Sequence, residues 1–143
     1  MLKDDVKIIE LELSTLCGAN CPLCYRNYKT FDDHYPMTVV RPFNDIVSQL
    51  DEYPNLTDVY LVGSISEPTL YQDFQCLVEY IESRGITIEI CTNGDTNDEG
   101  WWYELASLLT PKDSVYFTIC GSTQEIHEVY RRNTSLENIL RNA

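Results

Sequence analysis

The sequence has little positive charge and no long apolar run. Only 10 of its 143 residues are Lys or Arg, against 23 Asp or Glu, which gives a formal net charge of −13. The basic residues form no cluster, so the sequence lacks the electrostatic footprint of a protein that binds nucleic acid or an anionic membrane. No apolar run approaches the ~18 residues of a membrane span, and the N-terminal stretch MLKDDVKIIE lacks the apolar segment of a secretory signal. These absences predict a cytoplasmic protein.

Cysteine is not scarce, but it is unevenly distributed. Three of the six cysteines, Cys17, Cys21 and Cys24, lie in the stretch LSTLCGANCPLCYRN with the spacing C-x3-C-x2-C, while the others are scattered. Without a secretory signal, so tight a group predicts a metal site rather than a disulfide framework. Three thiolates suit a [4Fe–4S] cluster in which one iron keeps open positions. Zinc, with His34 as a fourth ligand, and three buried thiols are the alternatives.

The apolar pattern alternates between strands and helices. Period-two alternation and short apolar runs mark the strands, and apolar residues three or four apart mark the helices. Four strand–helix pairs in succession predict an α/β protein, a single domain over 1–143 built on a parallel sheet whose strands lie in the order 1-2-3-4. The predicted strands are 6–13, 58–63, 86–94 and 113–121, and the predicted helices fall within 41–50, 73–85, 101–109 and 135–142.

Three of the predicted strands carry one polar and one apolar face. A closed barrel fills its interior with bulky branched side chains, so a polar face predicts a concave sheet that holds a ligand. Chance alternation in short strands is the alternative. The polar faces carry Glu10, Glu12 and Ser14; Thr87, Glu89 and Cys91; and Tyr116, Thr118 and Cys120. The opposite faces of the last two strands are expected to pack under helices and carry Ile86, Ile88, Ile90, Val115, Phe117 and Ile119. Cys76, on the second predicted helix, is expected to face the sheet.

The cysteine spacing resembles the CxxxCxxC signature of the radical S-adenosylmethionine (SAM) superfamily. In that family three cysteines hold a [4Fe–4S] cluster, and the methionine amino and carboxylate groups of SAM bind the fourth iron. The resemblance implies that the missing fourth ligand is the cosubstrate. It also implies the activity: one electron cleaves SAM to methionine and a 5′-deoxyadenosyl radical, which abstracts a hydrogen atom from a substrate.

Two further stretches resemble the family's SAM-binding motifs. The stretch VGSISEPTLYQDF (62–74) is similar to a G-x-x-G-E-P loop, which implies that the backbone of Ser64 to Ser66 and the side chain of Glu67 receive the SAM amino group. Ser66 stands where glycine is usual. The stretch CTNG resembles the family's T-N-G turn, which makes Asn93 a candidate contact.

The stretch FTICGSTQEIHEVYRR (117–132) resembles the family's S-x-D-G…H…R pattern. Thr118 occupies the serine position, and Cys120 stands where an acid that accepts from the ribose hydroxyls is common. The resemblance implies that Arg131 clamps the SAM carboxylate. His127 matches the histidine, without an assigned role.

The resemblance also bears on other side chains near the proposed ligand. Leu23 occupies a position near the adenine that is often aromatic in the family, so Tyr25 is expected to supply the aromatic face instead. Glu10, Glu12 and Glu89 on the predicted concave face either touch SAM or substrate or are solvated.

The resemblance spans residues 9 to 143 but covers only part of the family's core of six βα units. It implies an incomplete (βα)6 core with helices on the convex face of the sheet. The closest group is the peptide-modifying maturases with short C-terminal modules. The expected partners are a peptide or small-molecule substrate, an electron donor, and further βα units or a second chain that completes the barrel. Two rivals remain: a non-catalytic zinc or iron–sulfur module that acts through a partner, and a plain α/β interaction domain.

Overall fold

The computed structural model describes residues 3–28 and 38–143. Within these ranges four strands form one parallel sheet in the order β1-β2-β3-β4, as the sequence predicts. Each strand is shorter than its apolar pattern, because the chain leaves the sheet before the alternation ends. The strands are β1 Ile8–Glu10, β2 Asp58–Leu61, β3 Thr87–Thr92 and β4 Ser114–Phe117.

Five α-helices accompany the strands in the described residues. Four of them overlap the predicted segments, with ends that differ by one or two residues at Asp51 and Glu99, and α4 is additional to the prediction. Thr123 caps α4 by accepting a hydrogen bond from the Ile126 N–H, and Ser135 caps α5 by accepting one from the Asn138 N–H. The helices are α1 Phe43–Asp51, α2 Phe74–Ser83, α3 Glu99–Leu108, α4 Gln124–Tyr130 and α5 Leu136–Asn142.

The hydrophobic core lies against one face of the sheet. Along β3 the side chains of Ile88 and Ile90 are buried, whereas Glu89 and Cys91 between them are only half-buried. The parallel register aligns these faces, because Val59 of β2 pairs with Ile88. Helices α1 to α3 cover the apolar face, which confirms the predicted α/β fold with one polar sheet face. Their buried side chains are Ile46, Leu50, Phe74, Leu77, Val78, Ile81, Trp102 and Leu105.

Two expectations about side-chain direction are wrong. Ile119 is 45% exposed, because β4 ends at Phe117 and the apolar alternation does not continue beyond it. Cys76 was expected to face the sheet from α2, but it is exposed, because Phe74 and Leu77 turn the apolar side of the helix inward. No helix in the described ranges has the length and apolar character needed to cross a membrane.

Candidate functional site

A cavity of about 720 Å³ lies where the parallel strands end. Its walls are the segments that follow β1, β2, β3 and β4, together with the C-terminal end of α4. The carboxyl edge of a parallel sheet is where α/β proteins bind ligands. The structure places every predicted site residue except Tyr25 in these walls: Cys17, Cys21, Cys24, Ser64, Ser66, Glu67, Asn93, Thr118, Cys120 and Arg131.

Tyr25 lies outside the cavity walls. It begins a 3-10 helix, Tyr25–Asn27, and its ring centroid lies 6.3 Å from that of Tyr28. Leu23 lines the cavity instead, with 81% of its surface exposed. The geometry therefore does not support the expectation that Tyr25, in place of Leu23, provides an aromatic face for the adenine.

The three cysteines of the loop after β1 are free thiols and half-buried. Backbone hydrogen bonds shape the loop, with the Cys24 N–H donating to the Cys21 carbonyl at 3.0 Å. Burial raises the pKa of the Cys17 thiol, although a backbone hydrogen bond at Ala19 and the charge of Arg26 oppose the shift.

The donor set of this loop, three cysteine thiols, is the ligand type that an iron–sulfur cluster takes. Within the described ranges, no three His, Cys, Asp or Glu side chains converge to hold one metal ion. A cubane is held differently, because each thiolate binds its own iron and the sulfurs stay apart. His34, which the zinc alternative requires, lies outside the described residues.

Two carboxylates of the first strand segment hold the loop that follows β2. The Ser64 hydroxyl donates to Glu10 at 3.0 Å, and the Ile65 N–H donates to Glu12 at 3.1 Å. The hydroxyl of Ser66 also donates to Glu12, so the serine that replaces the usual glycine has a partner. Glu10 and Glu12 therefore brace the loop, which neither of the two expectations for them included.

Arg26 joins this loop to the cysteine loop. One of its guanidinium nitrogens donates to the Thr15 carbonyl and, at 2.9 Å, to the Ile65 carbonyl. Arg26 follows Cys24 by two residues and lines the cavity. Sequence reasoning missed this residue, because a lone arginine in a loop carries no spacing signal.

Glu67 is 3% exposed, and its carboxylate is fully engaged inside the protein. The Thr69 hydroxyl donates to Oε1 at 2.8 Å, and the Thr69 N–H does so at 3.3 Å. The Thr92 hydroxyl reaches the same oxygen at 2.6 Å, while the Asn93 N–H donates to Oε2 at 2.7 Å. The carboxylate thus ties the loop after β2 to the end of β3.

His127, Arg131 and Cys120 belong to one closed ring of hydrogen bonds. The Cys120 N–H donates to Nδ1 of His127 at 3.3 Å, and Nε2 of this fully buried imidazole lies 3.0 Å from the Thr134 hydroxyl. Thr134 donates to the Arg131 carbonyl at 2.7 Å, and Arg131 Nε donates to the Cys120 sulfur at 3.4 Å. His127 is therefore a structural residue, and Thr134 is a member that the sequence pattern did not indicate.

The cysteine loop and the motif-bearing segments around this cavity agree with one family. Residues 11–143 match the sequence model of the Radical SAM superfamily. The chain belongs to the radical SAM superfamily. Its four-stranded sheet and its cavity at the strand ends are thus part of a radical SAM domain.

Known proteins similar to this radical SAM chain are longer. A tungsten-containing aldehyde ferredoxin oxidoreductase cofactor-modifying protein of Pyrococcus furiosus is 29% identical over 114 residues, which are 80% of this chain and 31% of that protein. SuiB of Streptococcus suis, solved bound to the precursor peptide SuiA, superposes with a TM-score of 0.70 at 17% identity over 94% of this chain and 29% of SuiB. BtrN, solved with AdoMet and 2-DOIA, gives 0.60 at 18% identity over 96% of this chain and 56% of BtrN. The chain spans about a third of the length of the curated relative.

Proposed function

We propose that this radical SAM domain holds a [4Fe–4S] cluster through Cys17, Cys21 and Cys24 and binds SAM in the adjoining cavity. The observation that supports it is the meeting of all three thiols and the three SAM-motif segments around one cavity. When bound, the two cofactors supply the one-electron cleavage of SAM that yields a 5′-deoxyadenosyl radical. The protein's task is to bind and orient both, and to keep the radical on its intended substrate.

The three thiols must lose their protons to bind iron, because thiolate is the ligand form of cysteine. Burial opposes this loss at Cys17, because it raises the pKa of that thiol. Positive charge helps the loop: Arg26 lowers the pKa of Cys17, and Arg131 Nη1 lies 3.9 Å from the Cys21 sulfur. Two arginines beside three thiolates offset part of the negative charge that the loop takes on.

SAM is proposed to lie across the strand ends, with its amino group at the loop from Ser64 to Ser66. Glu67 contributes there through its negative charge and by fixing the loop, because its oxygens already accept four hydrogen bonds. Asn93 begins the adjoining turn, and its side-chain oxygen accepts from the Asp95 N–H at 3.0 Å.

The ribose and carboxylate end is proposed to meet the segment after β4. The Thr118 hydroxyl donates to the Thr92 carbonyl at 2.9 Å, so its oxygen remains an acceptor on the cavity wall. Cys120 lies beside it. Arg131 uses two of its N–H donors on sulfur, and the guanidinium has five, so it has donors for a carboxylate as well.

The substrate is proposed to be a peptide or a small molecule, placed over the polar sheet face. SuiB is bound to a precursor peptide in its structure, and the Pyrococcus relative is a cofactor-modifying protein, so both kinds of substrate occur among similar proteins. An external one-electron donor is the second proposed partner.

The test is the metal content of single Cys→Ala variants after anaerobic reconstitution. We expect Cys17→Ala, Cys21→Ala and Cys24→Ala to lose bound iron and sulfide, because each removes one of three ligands. Cys76→Ala is the matched control, since Cys76 is exposed on α2 away from the cavity walls, and it should keep both. Equal iron and sulfide in the loop variants and the wild type would contradict the proposal. Zinc without sulfide would favour a non-catalytic metal module that acts through a partner.

A further inference from the structure

We infer that Arg131 sets the reduction potential of the cluster by donating a hydrogen bond to the sulfur of Cys21. This inference rests on the proposed function, because it needs a cluster on the three cysteines. The observation behind it is the position of the guanidinium, which bridges two sulfurs. Arg131 is then a positioning and tuning residue that acts through Cys21, in addition to any contact with SAM.

The guanidinium lies between Cys120 and Cys21. Nε is 3.4 Å from the Cys120 sulfur, and Nη1 is 3.9 Å from the Cys21 sulfur, both within the range of N–H···S hydrogen bonds. The arginine keeps its charge at every working pH and presents its donors in a planar fork. Cys120, at a position where an acid is common in the family, thus holds one side of the fork while the other side points at a cluster ligand.

The backbone of Arg131 is held by hydrogen bonds as well as its side chain. Its N–H donates to the His127 carbonyl at 2.8 Å, and its carbonyl accepts from Thr134. Because the Cys120 N–H donates to Nδ1 of His127, that nitrogen is the acceptor and Nε2 carries the proton toward Thr134. The buried imidazole of His127 therefore connects the backbone of Cys120 to Thr134, which in turn donates to the Arg131 carbonyl.

Two hydrogen bonds dock the same segment on the cysteine loop. The Asn20 N–H donates to the Arg132 carbonyl at 2.9 Å, and the Asn133 side chain donates to the Gly18 carbonyl at 2.5 Å. Both acceptor and donor positions lie within the loop that carries Cys21. These two links hold the segment that carries the guanidinium near this sulfur, independently of the contact between Arg131 and Cys21.

The direction of the effect follows from charge. One-electron reduction adds negative charge that is shared by the cysteine sulfurs. A cationic N–H donor stabilises the more negative state more strongly, and hydrogen bonds to sulfur are among the main determinants of cluster potential. Arg131 should therefore raise the potential and make the electron easier to deliver.

The experiment is a potentiometric titration, followed by electron paramagnetic resonance, of anaerobically reconstituted protein without SAM. Arg131→Gln removes the charge and the fork, and we expect the ratio of reduced to oxidised cluster at a fixed potential to fall about tenfold, which is a shift of about 59 mV for one electron. Arg131→Lys keeps the charge but cannot donate to both sulfurs, so its reduction potential should lie between those of the wild type and Arg131→Gln. Arg132→Gln is the matched control, because it makes the same charge change at the neighbouring exposed position and should shift the potential far less.

Iron and sulfide are measured first, so that the two hypotheses fail separately. A wild-type protein that holds no cluster would overturn the proposed function and this inference together. A loaded protein in which Arg131→Gln or Arg131→Lys matches the potential of Arg132→Gln would overturn only the role of Arg131. If Arg131→Gln does not load, the Lys variant supplies the comparison, and a wild-type potential there overturns the inference.

Discussion

A motif match cannot distinguish two roles for the carboxylate of Glu67: attracting the SAM amine and holding the loop after β2 in place. A residue whose only task is to attract the SAM amine leaves the ligand-free protein unchanged when it is replaced. Glu67 is instead buried among four donors, two from Thr69, one from Thr92 and one from Asn93. Hydrogen bonds to a buried charged group contribute about 1.5–3 kcal/mol each. Replacing Glu67 should therefore lower the stability of the protein even when SAM is absent.

Glu67→Gln should lower the free energy of unfolding of the SAM-free protein by about 1–3 kcal/mol, because the amide NH2 meets donors where the carboxylate accepted. It should also weaken SAM binding, because the loop after β2 loses its link to Asn93. Urea unfolding and calorimetry of cluster-loaded protein measure the two effects. Glu104→Gln, at an exposed position of α3, is the control and should change neither. Weakened SAM binding with unchanged stability would make Glu67 a direct ligand alone.

Sequence reasoning found the residues that a fixed spacing marks and missed those that the fold brings together. The three loop cysteines and Glu67 stand in short motifs, so they were identified. Thr134 was not, because its contact with His127 depends on how the chain turns after α4. The roles proposed for the motif residues toward a cluster and SAM remain predictions.

The turn after β2 depends on glycine at one position. Gly63 has φ of 56°, in the left-handed region, and a Cβ there would collide with the Ser66 carbonyl oxygen. This turn opens the loop that Glu10, Glu12 and Arg26 hold. Glu10, Glu12 and Arg26 can make these hydrogen bonds to the loop only if the turn is this tight.

Gly63→Ala should destabilise the protein by more than the ~1–2 kcal/mol that a left-handed alanine costs, because the clash with Ser66 adds to the backbone strain. Gly85→Ala is the matched control: Gly85 has φ of 73°, but nothing lies within 4 Å of its added Cβ, so it should show the strain alone. Thermal unfolding of the two variants measures the difference. Equal losses would mean that the loop relaxes around the methyl group without cost.

The turn that leads into β4 contains a carboxylate with a lowered pKa. Burial alone would raise the pKa of Asp113, but hydrogen bonds from the Thr110 hydroxyl and from the N–H groups of Ile88 and Thr110 hold it below its ordinary value. The Ile88 N–H donates at 2.8 Å, which ties the turn to β3. A lowered pKa in the folded state stabilises the protein above the ordinary pKa, and this stability is lost as the pH falls through the folded value.

Asp113→Asn should therefore cost about 1–3 kcal/mol near neutral pH, and its deficit relative to wild type should shrink in acid, below about pH 4. Urea unfolding over a pH series measures this convergence. Asp5→Asn, at an exposed position, is the control and should show no deficit. A deficit that stays constant down to acid pH would assign the effect to shape rather than to charge.

Strand order was predictable because helices alternate with the strands and connect sequential parallel neighbours, and strand faces were predictable because they follow from period-two patterns. The run from Ile86 to Cys91 alternates without interruption, and the register between β2 and β3 brings equal faces together. The additional helix α4 was not predicted, because its seven residues are polar at one end and leave Ile126, Val129 and Tyr130 exposed. The position of α4 depends on Gly121, where a Cβ would lie 2.5 Å from the backbone nitrogen of His127.

The sheet has an open side next to the cavity. Within the described ranges β4 pairs only with β3, and Tyr116 on its polar face is 53% exposed. Similar proteins are longer: this chain covers 29% of SuiB and 56% of BtrN. The unpaired N–H and C=O groups of such an edge can pair with another strand, from further polypeptide or from a second chain. Closure on that side is what would keep water away from a bound substrate.

These 143 residues alone should therefore cleave SAM without coupling the cleavage to a product. We expect anaerobic reaction with dithionite to form 5′-deoxyadenosine in large excess over any modified peptide or small molecule, because a site open along β4 does not exclude water or hold the substrate C–H bond in place. Chromatography with mass detection measures both species from the same reaction. Cys21→Ala is the control, since it removes a proposed cluster ligand and should abolish 5′-deoxyadenosine as well. A monomer of these residues that forms one product for each 5′-deoxyadenosine would show that four strands suffice to close the site around the radical.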